Sequence, residues 1–194
     1  MGRALRIVIR SCALALAVSA AGCGHREGGA AAPGSIGEIV PTRLVDQDGH
    51  AFGAEQLHGH VWLVALMFTH CPMACPAMAE RMSYIQTLLP RHAADIRMLS
   101  VSVDPEDDTP PVLTAYGQRF HRDPAIWTFV TGQTEPTLRS VTDGFAKDRP
   151  GHAFDHGSTF ALADEQGRIR GYYGMDDTAV ASLLDDADRV AVGH

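Results

Sequence analysis

The chain has 194 residues, 45% of them hydrophobic, and a formal net charge of −7. That length suits one compact domain with an appendage, and the composition is that of an ordinary globular protein. The acidity argues against nucleic acid or another polyanion as a partner.

Residues 1–22 differ from the rest. Arg3, Arg6 and Arg10 precede the uncharged run CALALAVSAAG, a basic segment followed by an apolar one too short for a comfortable permanent span, which predicts a secretory signal. The run ends in AAGC, small residues directly before Cys23, which resembles the lipobox of bacterial lipoproteins, although Ala20 stands where Leu is commoner. Cys23 is then expected to carry lipid; a signal peptide cut nearby or an uncleaved anchor is the alternative. Removing residues 1–22 takes away three arginines and no acids, so the exported part carries −10. Residues 23–37 include GHREGGAAAPGSIG, poor in apolar side chains, and predict a tether reaching roughly 20 Å, close to the periplasmic side of a bacterial membrane.

The predicted domain occupies residues 38–194. TRLVD and a following AF flank the turn from Asp46 to Gly49 and predict a small hairpin. VWLVALMF, residues 61–68, is a continuous apolar run and predicts a central strand buried on both faces. Met78, Met82, Ile85 and Leu89 recur on one helical face before Pro90; Pro76 suits a first helical position, so the helix is expected to start near it. IRMLSVSV from Ile96 predicts a second buried strand, Thr109 to Phe120 a helix with prolines in its first turn, and WTFVT from Trp127 a short strand. A helix is expected around Pro136 to Phe145, then a hairpin from STFALAD and RIRGYYG, and a last amphipathic helix using Val180, Leu183, Leu184, Ala187 and Val190. A βαβ half joined to a ββα half is the thioredoxin order, an α/β fold, here with an N-terminal hairpin extension.

With Cys12 in the signal and Cys23 lipidated, Cys71 and Cys75 are the only thiols left to the folded domain, in an oxidising compartment. They fall between the Val61 strand and the next helix, where free N–H groups and the helix dipole favour thiolate, and both sulfurs are expected at the exposed edge of the sheet. Such a pair either closes a disulfide or clamps a soft metal. A purely structural bridge is the blander reading, but a five-residue loop removes little chain entropy. Thiol oxidoreductases of this fold have two residues between their cysteines and a cis-proline in the facing loop. Here there are three, and the matching loop reads FDHGSTF, so His156 could face the sulfurs instead. Two thiolates and an imidazole suit copper: thiolate selects Cu(I) and imidazole also serves Cu(II). His156 can equally be a loop histidine that caps backbone. His70 and His152 read as surface groups, and Met78 and Met82 as core filling. Asp104, Asp107 and Asp108 lack the spacing and glycine of a calcium loop and read as strand-end and helix-capping residues that could position the copper loops or dock a partner.

Three segments in order, FTHCPMACP, SVDPEDDTP and DHGSTFALADEQGRI, follow the signal and tether. They resemble the SCO/SenC family of copper-binding proteins, which assist assembly of the binuclear copper centre of cytochrome c oxidase, over about residues 38–190. The resemblance implies that Cys71, Cys75 and His156 bind copper, and that the partner is the copper-receiving subunit of an oxidase or another cuproprotein. The chain departs from the family at Met73, where an acidic residue is frequent, and at Gly157, where Ser is; Met73 changes the loop's charge and adds a soft thioether. A thiol:disulfide oxidoreductase, with Cys71 attacking and Cys75 resolving, is the alternative. A peroxiredoxin fits worse, because only His70 separates Thr69 from Cys71.

Overall fold

The computed structural model describes residues 37–38, 44–89, 95–132 and 158–192. The expected signal, Cys23, nearly all of the tether, the helix around residues 136–145, His152 and His156 lie outside the described residues. Among those described, the elements run β1 (Gly37–Glu38), β2 (Leu44–Asp46), β3 (Ala51–Phe52), α1 (Ala54–Leu57), β4 (Val61–Met67) and α2 (Ala74–Gln86). They continue with β5 (Ile96–Ser102), α3 (Pro110–Arg119), β6 (Trp127–Gly132), β7 (Phe160–Ala163), β8 (Arg168–Tyr173) and a final helix, α4 (Asp177–Val192).

The strands form one sheet in the order β1-β8-β7-β4-β5-β6-β2-β3. β4 lies at its centre, parallel to β5 from Val61↔Ile96 to Met67↔Ser102 and antiparallel to β7 from Trp62↔Ala163 to Ala65↔Phe160. All seven of its residues are buried, as an unbroken apolar run requires. Strand alternation sends Leu63, Ala65 and Met67 into one core with Met78, Met82 and Ile85 of α2, Leu113 of α3 and Leu183 of α4. Trp62, Val64 and Leu66 face the opposite core with Leu44, Phe52 and Leu57. The segment β8-β7-β4-β5 with α2 and α4 is the thioredoxin-like unit, to which β6 and the β2–β3 hairpin are added at one edge.

The hairpin is held there by more than its ladder. Leu44 and Val45 pair with Gly132 and Thr131 of β6. Gln47 donates its backbone N–H to Phe129 O at 3.0 Å and accepts Phe129 N–H on its side chain at 2.8 Å. Gly49 turns at φ +82 and Gly167, between β7 and β8, at φ +77, a region where a Cβ would be strained. α2 ends earlier than its apolar period suggests: beyond Gln86 the chain tightens, with Leu88 N–H donating to Ile85 O at 2.8 Å and Thr87 Oγ1 to Tyr84 O at 2.7 Å. Leu89 remains buried past the helix end. No helix among the described residues is long and apolar enough to cross a membrane.

Candidate metal centre

β4 and β5 run parallel, so their C-terminal ends meet at one sheet edge, where Val103 N–H donates to Met67 O at 2.9 Å. The loop after β4 carries Cys71; the loop after β5 carries the acids of DPEDDTP. Strand β7 begins at the same edge, with Phe160 opposite Ala65. Outer ends of parallel strands are where α/β sheets ordinarily build their sites, because the connecting loops diverge there.

α2 begins at Ala74 with Met73 as its N-cap. Cys75 is therefore the second helical residue, inside the first turn, and the expected start near Pro76 is corrected by two residues. The first-turn amides have no acceptor within the helix, so a proline at the third position forfeits no bond, just as at the first. The Met73 side chain makes no capping bond. The Cys71 sulfur takes the place of a capping oxygen, accepting Cys75 N–H at 3.4 Å.

That cap separates the two thiols chemically. Burial pushes the Cys71 thiol up, but hydrogen bonds from the Cys75, Met73 and Ala74 amides and the Cys75 side chain outweigh it, and its pKa is lowered from the ordinary value. Burial pushes Cys75 up to about 12; the Phe68 backbone opposes this, while the Cys71 sulfur and the Asp108 carboxylate add to it. Both cysteines are free thiols. Neither sulfur is openly exposed, contrary to the expectation from sequence: Cys71 retains 8% of its accessible surface and Cys75 only 1%. The helix start explains this, since Cys75 in the first turn points with Met78, Ala79 and Met82 into the core.

Asp108 is wholly buried at 0% exposure. Its carboxylate accepts Thr69 N–H at 3.1 and 3.2 Å, Thr69 Oγ1 at 2.5 Å and Ser102 Oγ at 2.5 Å. Ser102 Oγ in turn accepts Asp104 N–H at 3.0 Å. Three donor groups satisfy a charge that burial would otherwise penalise, and the carboxylate clasps the cysteine loop to the end of β5. The expected positioning role of Asp108 thus has a geometry. The expected capping role does not: α3 is capped by Thr109, without a side-chain bond.

A sequence model of the family described as SCO1/SenC matches residues 38–191. The chain belongs to the SCO1/SenC family. Solved structures of the same fold resemble this SCO1/SenC chain, three of them as follows. A SCO1/SenC family lipoprotein from Bacillus anthracis is 30% identical, with a TM-score of 0.69 over 79% of this chain and 95% of its own. BsSco, a member of the Sco family of cytochrome c oxidase assembly proteins in which a disulfide switch was identified, is 28% identical, with a TM-score of 0.66 over 80% and 94%. Bradyrhizobium japonicum ScoI, solved with copper bound, is 25% identical, with a TM-score of 0.62 over 77% and 97%.

Within this SCO1/SenC chain, the structure brings Cys71 and Cys75 into hydrogen-bonding reach of each other. Met78 and Met82 are buried core residues, and Met82 Sδ accepts Ser100 Oγ at 3.6 Å. His70 is exposed, its Nδ1 4.0 Å from Asp107 Oδ2. With Asp104 and Asp107 it forms a surface cluster whose ligand atoms lie within 4.8 Å of one another and which includes neither cysteine. Sequence reasoning missed the parts played by Thr69, Ser102 and Tyr116. Thr69 and Ser102 each end a strand-to-loop transition within the quoted segments, a signal that hydroxyls there bind something. Tyr116, buried and without a hydrogen-bond partner for its hydroxyl among the described residues, lines a small cavity with Cys75, Met67, Met78 and Met82, and no pattern in α3 distinguishes it from core filling.

Proposed function

We propose that this protein is a membrane-tethered periplasmic copper chaperone that assists assembly of the copper centre of a cytochrome oxidase. Residues 1–22 act as a lipoprotein signal, lipidated Cys23 and the residues to 37 form the tether, and the thioredoxin-like domain from residue 38 carries the copper. Cys71 and Cys75 hold Cu(I) as thiolates and His156 completes the site. The observation that carries this reading is the pair of free thiols at the start of α2, Cys71 just before the helix and Cys75 in its first turn, with the Cys75 N–H donating to the Cys71 sulfur at 3.4 Å. His156 precedes β7 by four residues in sequence, and β7 starts at the edge that bears the cysteine loop, which supports its inclusion. The copper-bound ScoI and the oxidase-assembly family of BsSco support the cargo and the client. Cys75 must give up its proton to solvent when it binds the metal, so loading releases protons and strengthens with rising pH.

The test is an anaerobic titration of the reduced protein with Cu(I) against a competing chelator, in the wild type, His156→Ala and the Cys71→Ser, Cys75→Ser double variant. Tight one-to-one binding that weakens in both variants is expected. Weak wild-type binding, or binding indifferent to His156, would overturn the copper site.

The asymmetry of the thiols favours a second reading, a thiol:disulfide oxidoreductase acting on a cuproprotein's cysteines. Cys71, with its lowered pKa and residual exposure, would attack, and Cys75, adjacent and sealed, would resolve the mixed disulfide. That reading predicts a trapped mixed disulfide with the acceptor in Cys75→Ser and no dependence on His156.

A further inference from the structure

The soft donors of the cysteine loop differ steeply in access. Cys75 is sealed, Cys71 is nearly so, and Met73 between them is 78% exposed. Among the described residues only Tyr84 is another large hydrophobic left so open. Met73 occupies the N-cap, where Ser, Asp or Asn ordinarily stabilises a helix, and its side chain does no capping. Its position therefore has no structural return: the side chain neither fills the core nor ends the helix. Met73 lies two residues from Cys71 and two from Cys75, so a side chain with three rotatable bonds can swing its thioether toward the Cys71 sulfur.

Cu(I) handed between two ligand sets passes through intermediates in which donors from both sides share the ion. An incoming ligand cannot reach Cys75, and Cys71 shows it only a narrow edge. A thioether is a soft, neutral donor that needs no deprotonation and binds Cu(I) more weakly than thiolate, as a passing ligand should. Resting on the copper-chaperone reading, we propose that Met73 is a transient outer ligand for Cu(I), the first protein donor met on loading and the last released on unloading. No electrons move. On loading, copper–chelator bonds break as a copper–Met73 sulfur bond forms; copper then bonds Cys71 and Cys75, whose protons pass to solvent, and the Met73 bond is released.

The test uses the full chain, reduced and anaerobic, with the Cu(I)–bicinchoninate complex as donor and excess bicinchoninate as acceptor, followed by stopped-flow absorbance. Met73→Leu keeps the bulk and removes the sulfur at an exposed site. Loading and unloading are both expected to slow, by about tenfold each, while the equilibrium affinity stays within about threefold. Unchanged rates in Met73→Leu overturn the proposal, as does unchanged loading with faster unloading, which would make Met73 a resident ligand. Failure of the wild type to bind Cu(I) removes the copper reading itself. Tight wild-type binding with indifferent Met73→Leu kinetics removes only this inference.

Discussion

A single buried carboxylate holds the cysteine loop in place. Asp108 gathers three donor groups from Thr69 and Ser102, and each would be left unsatisfied in Asp108→Ala. Unpaired buried donors cost roughly 1–3 kcal/mol apiece, reduced where the site relaxes or admits water, so the variant should lose about 2–4 kcal/mol of stability. Urea unfolding of the metal-free protein measures this, and a midpoint equal to wild type would contradict the clasp. The sequence showed Asp108 as one of four acids in a row of polar residues, with nothing to say which is buried. That depends on the β4–β5 register, which sets Met67 beside Ser102 and so brings Thr69 within reach.

Helix α2 shows how much of an element is legible in its pattern and how much is not. Met78, Met82 and Ile85 are buried as their spacing demands, and Pro76 marks the first turn. The first residue of the helix was misplaced because proline is tolerated at each early position, and the residue that caps it was invisible because the cap is a sulfur three positions before Ala74. That arrangement explains why a Met is acceptable at the N-cap: Pro76 has no N–H, and the Cys75 N–H is already bonded to Cys71. Met73→Ser would present an oxygen that competes for the same amide, so the Cys71 pKa should rise toward the ordinary thiol value. Iodoacetamide alkylation of Cys71 at pH 7 is then expected to be slower in Met73→Ser than in wild type, with the rate-against-pH curve displaced upward. An unmoved curve would show that the Cys71 thiolate owes little to the helix end.

For the molecule as a whole, the architecture was readable because each step was local: a long apolar run for β4, turn glycines for the hairpins, alternation of strands and helices. The burial of Cys75 was not, because it follows from how α2 lies on the sheet. Its consequence is a pH dependence. Cys75 and Tyr173 are both pushed up to about 12, chiefly by burial. A raised folded pKa stabilises fully below the unfolded value and is lost as pH rises toward the folded one, so the reduced, metal-free protein should weaken from about pH 8.5 for Cys75 and from about pH 10 for Tyr173. Cys71 acts in the opposite sense, its lowered pKa adding stability as pH rises and completing that gain above the unfolded thiol value. Urea midpoints should therefore fall between about pH 9 and pH 11, and Cys75→Ala should delay the onset toward the tyrosine range. A flat profile across that interval would mean that Cys75 is not sealed.

The proposed copper site consists of two thiolates, Cys71 and Cys75, and the imidazole of His156. X-ray absorption at the copper edge of the Cu(I)-loaded full chain tests it most directly, with His156→Ala alongside. Two sulfur neighbours and one nitrogen neighbour are expected in the wild type, with the nitrogen lost in His156→Ala; a spectrum without a nitrogen neighbour, or one that His156→Ala leaves unchanged, would contradict the proposed site.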